Sequence, residues 1–406
     1  MGDPRGFLKI KRDPTGDPRE QASRCMDCGT PYCHGSCPLG NYIPEWNDLA
    51  SGTHWDRAFE LLDATNNMPE ITGRLCPAPC EAACLLGLNF DPVDIKQNEL
   101  TIIENAFKSG WVKPRPPRIL SDKKVAVVGS GPAGLSCAAK LNRAGHQVTV
   151  FERDDRIGGL LRYGIPDFKL DKKILDRRLR IWEAEGIRFV TKVNIGVNYP
   201  TERLKQEFDA VVWTGGSRLP RDLNIEGRRL KGIHFALDYL IQYNRRMAGE
   251  KLPAAELIDA KNKKVVVIGG GDTGADCAET ARQQGAASIT QIEILPQPAV
   301  VKECVGVERH WSVSTNSFWG QKQVVQGLEC VKLDNQMKFE IEAELVILAL
   351  GFLKTDNLKT DENYMTSEKG IFAAGDMRRG QSLIVWAIFE GRSAAAAVGR
   401  FLKEKK

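Results

Sequence analysis

The chain has 406 residues, 42% of them hydrophobic and 27% charged, and a net charge of +5 at pH 7. That length is enough for two or three domains with separate cores, and so small a charge does not by itself indicate nucleic-acid binding. No apolar stretch approaches the roughly 18–20 residues of a membrane span, and the charged segment from Met1 to Arg12 lacks the apolar core of a secretory signal. We therefore expect a cytoplasmic protein that contacts neither nucleic acid nor membrane.

The first 120 residues predict a small helical domain that binds metal. They contain few β-branched runs and end in the proline-rich stretch Lys113–Arg118, which is typical of a stiff linker. Seven of the 11 cysteines lie between Cys25 and Cys84. In a reducing compartment, cysteines crowded in this way bind metal more often than they form disulfides.

The spacing of these cysteines is similar to that of a bacterial ferredoxin. Two, four and three residues separate the cysteines of the first group, a proline follows it, and three residues separate each pair in the second group. In such runs the last cysteine commonly binds the other cluster, so we expect the two groups to be interleaved. If Cys80 and Cys84 lie on one helical turn, they face the same side. The groups are Cys25, Cys28, Cys33 and Cys37, and then Cys76, Cys80 and Cys84.

The number of cysteines leaves two interpretations of this domain open. Two [4Fe–4S] clusters need about eight ligands, whereas the domain has seven cysteines. Either another kind of side chain completes one cluster, or only one cluster is complete. Two structural zinc sites are the alternative; they would explain the cysteines but not the nucleotide-binding module that follows them.

From Lys123 onward the chain predicts βαβ units and contains an internal repeat. An apolar strand runs into a glycine-rich loop at Gly129, and a second such strand does so at Gly269. Each half later reaches another apolar strand that ends in glycine, at Gly215 and Gly351. Two copies of one dinucleotide-binding module explain this repeat.

The first copy predicts a phosphate-binding loop. Gly129 permits a tight turn, Gly131 lets the backbone approach a pyrophosphate, and Gly134 lets the helix pack closely on the sheet. Glu152 ends the next strand, where an acid would bind the ribose hydroxyls. The alternative is a plain glycine turn with a surface glutamate. The predicted contacts are Gly129, Gly131, Pro132, Ala133, Gly134 and Glu152.

The second copy predicts a loop of the same kind. Glu293 occupies the place that matches Glu152, and an acid there repels a 2′-phosphate and so favours NADH. Lys302 and Arg309 follow soon after and could favour NADPH, so the choice stays open. The predicted contacts are Gly269, Gly271, Asp272, Thr273 and Gly274.

A motif near the C-terminus predicts a flavin contact. Gly375 and Asp376 end a short predicted strand, and the carboxylate could bond a ribityl hydroxyl. A helix from about Ser382 to Phe401 would direct its positive end at the flavin ring. A simple turn is the alternative. Two unlike loops suggest two dinucleotides, one held permanently and one exchanged.

Five segments together resemble the small (β) subunit of glutamate synthase, and the similarity spans nearly the whole chain. The same module occurs in dihydropyrimidine dehydrogenase and in bifurcating ferredoxin:NADP oxidoreductases. The segments are Cys25–His34, Cys37–Asn41, Arg74–Cys84, Gly158–Pro166 and Ala374–Ser382.

The resemblance implies FAD, NADPH or NADH, and two [4Fe–4S] clusters. It implies Gly159 as a further cofactor contact, and Glu99 as the ligand that makes up for the missing cysteine. Electrons would leave for a separate large subunit that converts glutamine and 2-oxoglutarate into two glutamates. The implied ligand sets are Cys25, Cys28, Cys33 and Cys84 for one cluster, and Cys37, Cys76, Cys80 and Glu99 for the other.

We therefore expect an α/β protein with two Rossmann-like domains, for FAD and for NAD(P)H, preceded by an α-helical iron–sulfur domain. The expected division is 1–120 for the clusters, 121–227 and 351–406 for FAD, and 228–350 for NAD(P)H. Hydride transfer needs aligned rings and no general base, so no catalytic residue is predicted.

The chain departs from the family pattern, and two other functions are considered. It is shorter than family members before Cys25, after Pro298 and around Leu353–Asp356. The alternatives are a subunit of a ferredoxin-linked or bifurcating oxidoreductase, and a zinc-containing dinucleotide-binding scaffold.

Overall fold

The computed structural model describes residues 17–217, 219–298, 305–353 and 358–404. These residues form two compact units. Among the described residues, the larger unit contains 17–162, 169–217 and 358–404, and the smaller unit contains 163–168, 219–298 and 305–353. None of the described helices combines the length and the apolar character needed to cross a bilayer.

The larger unit begins with seven short helices. Asp94 caps the last of them by accepting a hydrogen bond from the Gln97 amide, and the helices share a core in which Trp46, Leu62 and Ile103 are fully buried. The helices are α1 (Pro18–Ser23), α2 (Tyr32–Ser36), α3 (Ile43–Ser51), α4 (Trp55–Thr65), α5 (Pro69–Leu75), α6 (Pro79–Ala82) and α7 (Ile95–Lys108), with a 3₁₀ turn at Leu85–Leu88.

A five-stranded parallel sheet follows in the same unit, with strand order β13-β4-β1-β2-β3. Val125 of the central strand lies between Val148 and Ala210, and such continuous apolar strands are typical of sheets covered on both faces. The strands are β1 (Lys124–Val128), β2 (Gln147–Phe151), β3 (Arg188–Val190), β4 (Ala210–Trp213) and β13 (Ile371–Ala373). The helices are α8 (Pro132–Arg143), α9 (Leu160–Tyr163), α10 (Lys172–Ala184), α11 (Thr201–Glu207), α14 (Asp376–Arg379) and α15 (Ile384–Glu404).

The smaller unit has a second parallel sheet, ordered β5-β12-β6-β7-β8, and an antiparallel sheet, ordered β11-β10-β9. Its strands are β5 (Ile233–Phe235), β6 (Lys264–Ile268), β7 (Ser288–Ile292), β8 (Glu308–His310), β9 (Val313–Gln321), β10 (Val324–Lys332), β11 (Lys338–Glu342) and β12 (Leu345–Leu348). Its helices are α12 (Ala236–Met247) and α13 (Asp272–Gln283), with a 3₁₀ turn at Ala254–Glu256.

The predicted fold class is confirmed: helices come first, and two parallel α/β sheets follow. The last helix begins at Ile384, two residues after the expected start, and continues to Glu404. The antiparallel sheet was not predicted, because its strands lie inside what the sequence repeat presents as one βαβ module.

Candidate functional site

The first glycine-rich loop joins β1 to α8 with almost no space for side chains. Gly129 has φ +106, and a Cβ there would lie 2.6 Å from the Thr214 carbonyl oxygen. A Cβ on Gly134 would lie 2.0 Å from the Gly129 carbonyl oxygen. At Gly131, by contrast, a Cβ would meet nothing within 4 Å. Gly129 and Gly134 are therefore packed tightly against the backbone. The loop is open at Gly131, where a pyrophosphate would face the helix N-terminus.

Glu152 fastens this loop to the end of β2. Its side chain is buried, and its Oε2 accepts hydrogen bonds from the backbone N–H (3.0 Å) and the hydroxyl of Ser130. Its Oε1 accepts one from the Asp154 amide at 3.0 Å. Glu152 is thus not a surface residue, and its remaining lone pairs are available to a ribose hydroxyl.

Two predicted contacts from distant parts of the chain meet the same loop. Gly159 has φ +53, and a Cβ there would lie 3.0 Å from the Gly131 Cα. Gly375 has φ +73, and a Cβ there would lie 2.7 Å from the Ala133 Cβ. The structure therefore brings the loop, the α9 turn and the C-terminal motif together.

The C-terminal motif continues into α15, which packs on α8. Burial raises the pKa of Asp376 to about 6, and hydrogen bonds from Ser382 oppose that rise. Gly391 of α15 touches α8, since a Cβ there would lie 2.1 Å from the Ala133 carbonyl oxygen. Sequence reasoning missed Gly391; the only signal was a glycine beside the alanine-rich run of a predicted helix.

The second loop joins β6 to α13 in the same way. Gly269 has φ +123, and a Cβ on Gly274 would lie 2.0 Å from the Gly269 carbonyl oxygen. Glu293 Oε2 accepts from the Gly270 N–H at 2.5 Å, and Oε1 from the Leu295 N–H at 2.9 Å. Gly271 and Asp272 are exposed at the start of α13, and Thr273 is half-buried.

Of the two cations that sequence reasoning set beside this loop, only one can be located. Arg309 lies in β8, paired with Gln291 of β7, and Lys302 is outside the described residues.

The predicted metal ligands line two cavities in the helical part of the larger unit. Both cavities have Ile43 and Ile95 in their walls. The outer cavity is lined by Cys25, Cys28, Cys33 and Cys84. The inner cavity is lined by Cys37, Cys76, Cys80 and Glu99.

The structure corrects the expectation that Cys80 and Cys84 face the same side. Helix α6 ends at Ala82, so Cys84 lies beyond it and lines the outer cavity, whereas Cys80 lines the inner one. Each cavity is lined by cysteines from both sequence groups.

Burial raises the pKa of five of the seven thiols that line the cavities. Burial raises the pKa of Cys76 to about 12 and that of Cys33 to about 11, while backbone N–H groups oppose the rise. The Cys37 sulfur receives backbone hydrogen bonds from residues 39–41. Because iron binds thiolates, loading must release these protons, and N–H groups directed at sulfur then stabilise the ligand charge.

Glu99 is a buried carboxylate with one oxygen engaged. Its Oε1 accepts from Asn66 Nδ2 at 2.9 Å and from the Thr72 hydroxyl, and Oε2 has no hydrogen bond from the described residues. Burial raises the pKa of Glu99 to about 7, and these two hydrogen bonds oppose it. Asn66 and Thr72, which orient the carboxylate, were not predicted; no motif in the sequence marks them.

The candidate metal ligands line two cavities and do not converge on a single ion position. A tetrahedral zinc ion would need four sulfurs about 2.3 Å from one centre, and the described ranges contain no group of three or more His, Cys, Asp and Glu side chains that could hold a single ion. A buried donor without a partner, Trp46 Nε1, belongs to a residue that lines the inner cavity. Thiols, one carboxylate and N–H donors around an enclosed space fit an iron–sulfur cluster.

Comparisons with known proteins agree with both halves of this site. Residues 123–391 match the family model of the pyridine nucleotide-disulphide oxidoreductases. Residues 10–111 match that of the dihydropyrimidine dehydrogenase domain II, 4Fe-4S cluster.

Two curated relatives and one solved structure illustrate the similarity. The glutamate synthase [NADPH] small chain of Mycobacterium tuberculosis is 50% identical over 99% of this chain and 96% of its own length. The glutamate synthase [NADH] of Saccharomyces cerevisiae is 43% identical over 96% of this chain and 21% of its own length. Mycobacterium tuberculosis FprA in complex with NADPH shares the fold, with a TM-score of 0.57 and 19% identity over 71% of this chain and 85% of its own.

The alignment with the first relative also has a length difference. It spans 472 positions, whereas this chain has 406 residues, a difference of 66. At least that many aligned positions of the relative have no counterpart here.

Proposed function

Because this chain belongs to the family of glutamate synthase small chains and, over residues 123–391, to the pyridine nucleotide-disulphide oxidoreductases, we propose that it is the electron-input subunit of a glutamate synthase. It oxidises NADPH or NADH and delivers the electrons to a large subunit that makes two glutamates from glutamine and 2-oxoglutarate. When bound, FAD accepts the hydride of the nicotinamide, and iron–sulfur clusters accept electrons one at a time.

The first loop is proposed as the FAD site. The observation that supports this choice is the convergence of Gly159 and Gly375 on the loop, since close backbone approach from three parts of the chain encloses a dinucleotide on several sides. Asp376, beside the loop, would bond a ribityl hydroxyl. The N-terminus of α15, which begins eight residues later, contributes a positive partial charge next to the flavin.

The second loop is proposed as the site of the exchanging nucleotide, NADPH or NADH. Gly271 and Asp272 are exposed, so a nucleotide can enter and leave from solvent. Glu293 places a negative charge near the ribose, yet each of its oxygens already accepts a backbone N–H, which offsets part of its repulsion of a 2′-phosphate. Relatives named for each of the two nucleotides occur in the family.

The single observation that carries the electron-transfer proposal is the grouping of eight candidate ligands, four around each cavity. We propose Cys25, Cys28, Cys33 and Cys84 as the ligands of an outer cluster. For an inner cluster we propose Cys37, Cys76, Cys80 and Glu99.

The surroundings of the two cavities suggest the order of electron transfer. Val385, at the start of α15, lines the inner cavity, and Cys76 and Cys80 there are buried. The inner cavity is thus on the side of the flavin motif. The thiols of the outer cavity are half-buried, which suits the exit.

We further propose that the chain acts with a large subunit in the cytoplasm. Its segment 1–120 would hold the clusters, 121–227 and 351–406 the FAD, and 228–350 the NAD(P)H. The name "small chain" of the relatives supports a partner subunit. No observation favours the ferredoxin-linked alternative or the zinc scaffold.

The proposal is tested with anaerobically purified chain and a separately purified large subunit of the family. The chain alone should reduce an artificial dye with NADPH and produce no glutamate; adding the large subunit should start NADPH-dependent glutamate formation. Glutamate formation by this chain alone, or no dye reduction by flavin-loaded protein, would contradict it.

A further inference from the structure

Helix α3 (Ile43–Ser51) forms a wall between the two cysteine-lined cavities. Ile43 lines both of them, Trp46 lines the inner cavity, and Asn47 lines the outer cavity. Consecutive residues of an α-helix point about 100° apart. Two neighbouring side chains of one helix can therefore serve different cavities.

Both side chains carry a buried N–H donor without an acceptor. Trp46 and Asn47 are each 0% exposed, and neither Trp46 Nε1 nor Asn47 Nδ2 has a hydrogen-bond partner among the described residues. Buried donors are nearly always paired, so two orphans on adjacent residues indicate that something else accepts these bonds.

One hydrogen bond orients the Asn47 amide in this structure. Its Oδ1 accepts a hydrogen bond from Asn98 Nδ2 of α7 at 3.0 Å, which leaves Nδ2 as the end that faces elsewhere. Asn47 lines the outer cavity together with Cys25 and Cys84. Asn47 Nδ2 is thus directed toward the ligand sulfurs of the outer cavity.

Resting on the proposed function, we infer that Trp46 and Asn47 each donate a hydrogen bond to a sulfur of the cluster in the cavity that they line, and so set the reduction potentials of the two clusters separately. A cluster that gains one electron gains one negative charge, and a donor at its sulfur stabilises the reduced form. The potential is therefore higher with the donor than without it. One helix would tune both clusters through two adjacent residues.

The first arm of the test is Trp46→Phe, which removes the indole N–H and keeps an aromatic ring. Both potentials are measured by EPR-monitored redox titration of the anaerobic, flavin-loaded protein. For the inner cluster, we expect the ratio of reduced to oxidised form at a fixed potential to fall about three- to tenfold, or ~30–60 mV at 59 mV per tenfold. The outer cluster should be unchanged.

The second arm is Asn47→Leu, which should lower the potential of the outer cluster by a similar amount and leave the inner cluster unchanged. Asn98→Ala is the matched control, because it removes the same Asn47–Asn98 hydrogen bond but not the Asn47 Nδ2 donor. It should leave the inner potential unchanged and shift the outer potential less than Asn47→Leu does, because the donor stays but its orienting bond is lost. An equal shift in Asn98→Ala and Asn47→Leu would overturn the inference for Asn47.

If a variant fails to retain iron, the two hydrogen bonds can still be tested on the wild-type protein. In that case wild-type protein labelled with ¹⁵N-indole tryptophan and ¹⁵N-amide asparagine is reduced, and hyperfine couplings are measured at each cluster. A tryptophan coupling at the inner cluster and an asparagine coupling at the outer cluster support the inference, and the absence of both overturns it. If the wild type binds no cluster at all, the proposed function fails first; clusters with unshifted potentials in both variants contradict this inference alone.

Discussion

The two nucleotide loops share their backbone geometry and differ in their surroundings. The residue before each helix has φ −69° and ψ −177° at Gly131, and φ −74° and ψ −177° at Gly271. Yet Gly131 and Pro132 are half-buried, whereas the equivalent Gly271 and Asp272 are exposed. The glycine pattern thus specifies the shape of the loop, and we propose that the residues packed around it decide between retention and exchange of a dinucleotide.

The largest effect on nucleotide binding is expected from substitution of Gly134 in the first loop and of Gly274 in the second. In Gly134→Ala the new Cβ would meet the Gly129 carbonyl oxygen at 2.0 Å and the Thr214 hydroxyl at 2.7 Å. Overpacking of this kind costs ~1–3 kcal/mol, so FAD affinity should fall by up to about 100-fold. The measurement is the flavin absorbance of purified protein after gel filtration.

Gly274→Ala is the matched variant of the second loop, with the same 2.0 Å contact. It should keep its yellow flavin and lose NADPH-dependent dye reduction. If Gly274→Ala lost FAD and Gly134→Ala retained it, the assignment of the two loops would have to be exchanged.

A smaller effect is expected at the open glycine of each loop. A Cβ on Gly131 or Gly271 meets nothing within 4 Å, so alanine should leave the thermal unfolding midpoint of the cofactor-free protein unchanged. The added Cβ would, however, lie where the pyrophosphate of the bound nucleotide approaches the loop. We expect about tenfold weaker FAD binding in Gly131→Ala and an about tenfold higher KM for NADPH in Gly271→Ala, each ~1.4 kcal/mol.

These two variants separate binding from folding. A fall in the unfolding midpoint of several degrees in either would show that the glycine is needed by the chain itself and not by its ligand.

Glu152 and Glu293, which follow β2 and β7, should differ in their effect on the preference for NADPH over NADH. Glu293→Gln removes a half-exposed negative charge near the second ribose, so the ratio of kcat/KM for NADPH to that for NADH should rise about fivefold, or ~1 kcal/mol. Glu152→Gln is the control, and it should leave this ratio unchanged while weakening FAD binding. A higher preference for NADH in Glu293→Gln would contradict the proposed position of the 2′-phosphate.

A separate effect concerns pH at the flavin motif. Burial raises the pKa of Asp376 to about 6, above the unfolded value of about 3.9. The protonated carboxyl therefore stabilises the folded, FAD-free protein fully below about pH 4, and this contribution is lost as pH rises through about 6. The pH dependence of the unfolding midpoint measures it.

Asp376→Asn should remove this contribution, and Asp272→Asn, at the exposed second loop, is the matched control. An unaltered pH profile in Asp376→Asn would mean that the pKa of Asp376 is the same in the folded and unfolded protein, which would contradict the rise caused by burial.

The parts that could be predicted from sequence are those encoded locally. Gly134 and Gly274 each face the carbonyl oxygen of a glycine five residues earlier, Gly129 and Gly269, so the local pattern located both loops and the strands before them. The division of ligands between the cavities came from family resemblance. Spacing alone suggested that Cys80 and Cys84 face one side, and the end of α6 at Ala82 separates them.

Contacts between distant segments could not be predicted. Gly391 contacts Ala133, from which it is separated by more than 250 residues of sequence. Trp46 and Asn47 can be recognised as cavity-lining residues only in the folded structure, where α3 lies between the two cavities. The antiparallel sheet β9–β11 was also missed, since its strands interrupt an α/β repeat with no change in the glycine pattern.

The most direct test of the central claim is the determination of iron, acid-labile sulfide and FAD in one anaerobically purified sample of the whole chain. Two [4Fe–4S] clusters predict about eight iron and about eight sulfide per FAD. Zinc in place of iron, or a colourless protein that holds neither flavin nor sulfide, would contradict the account.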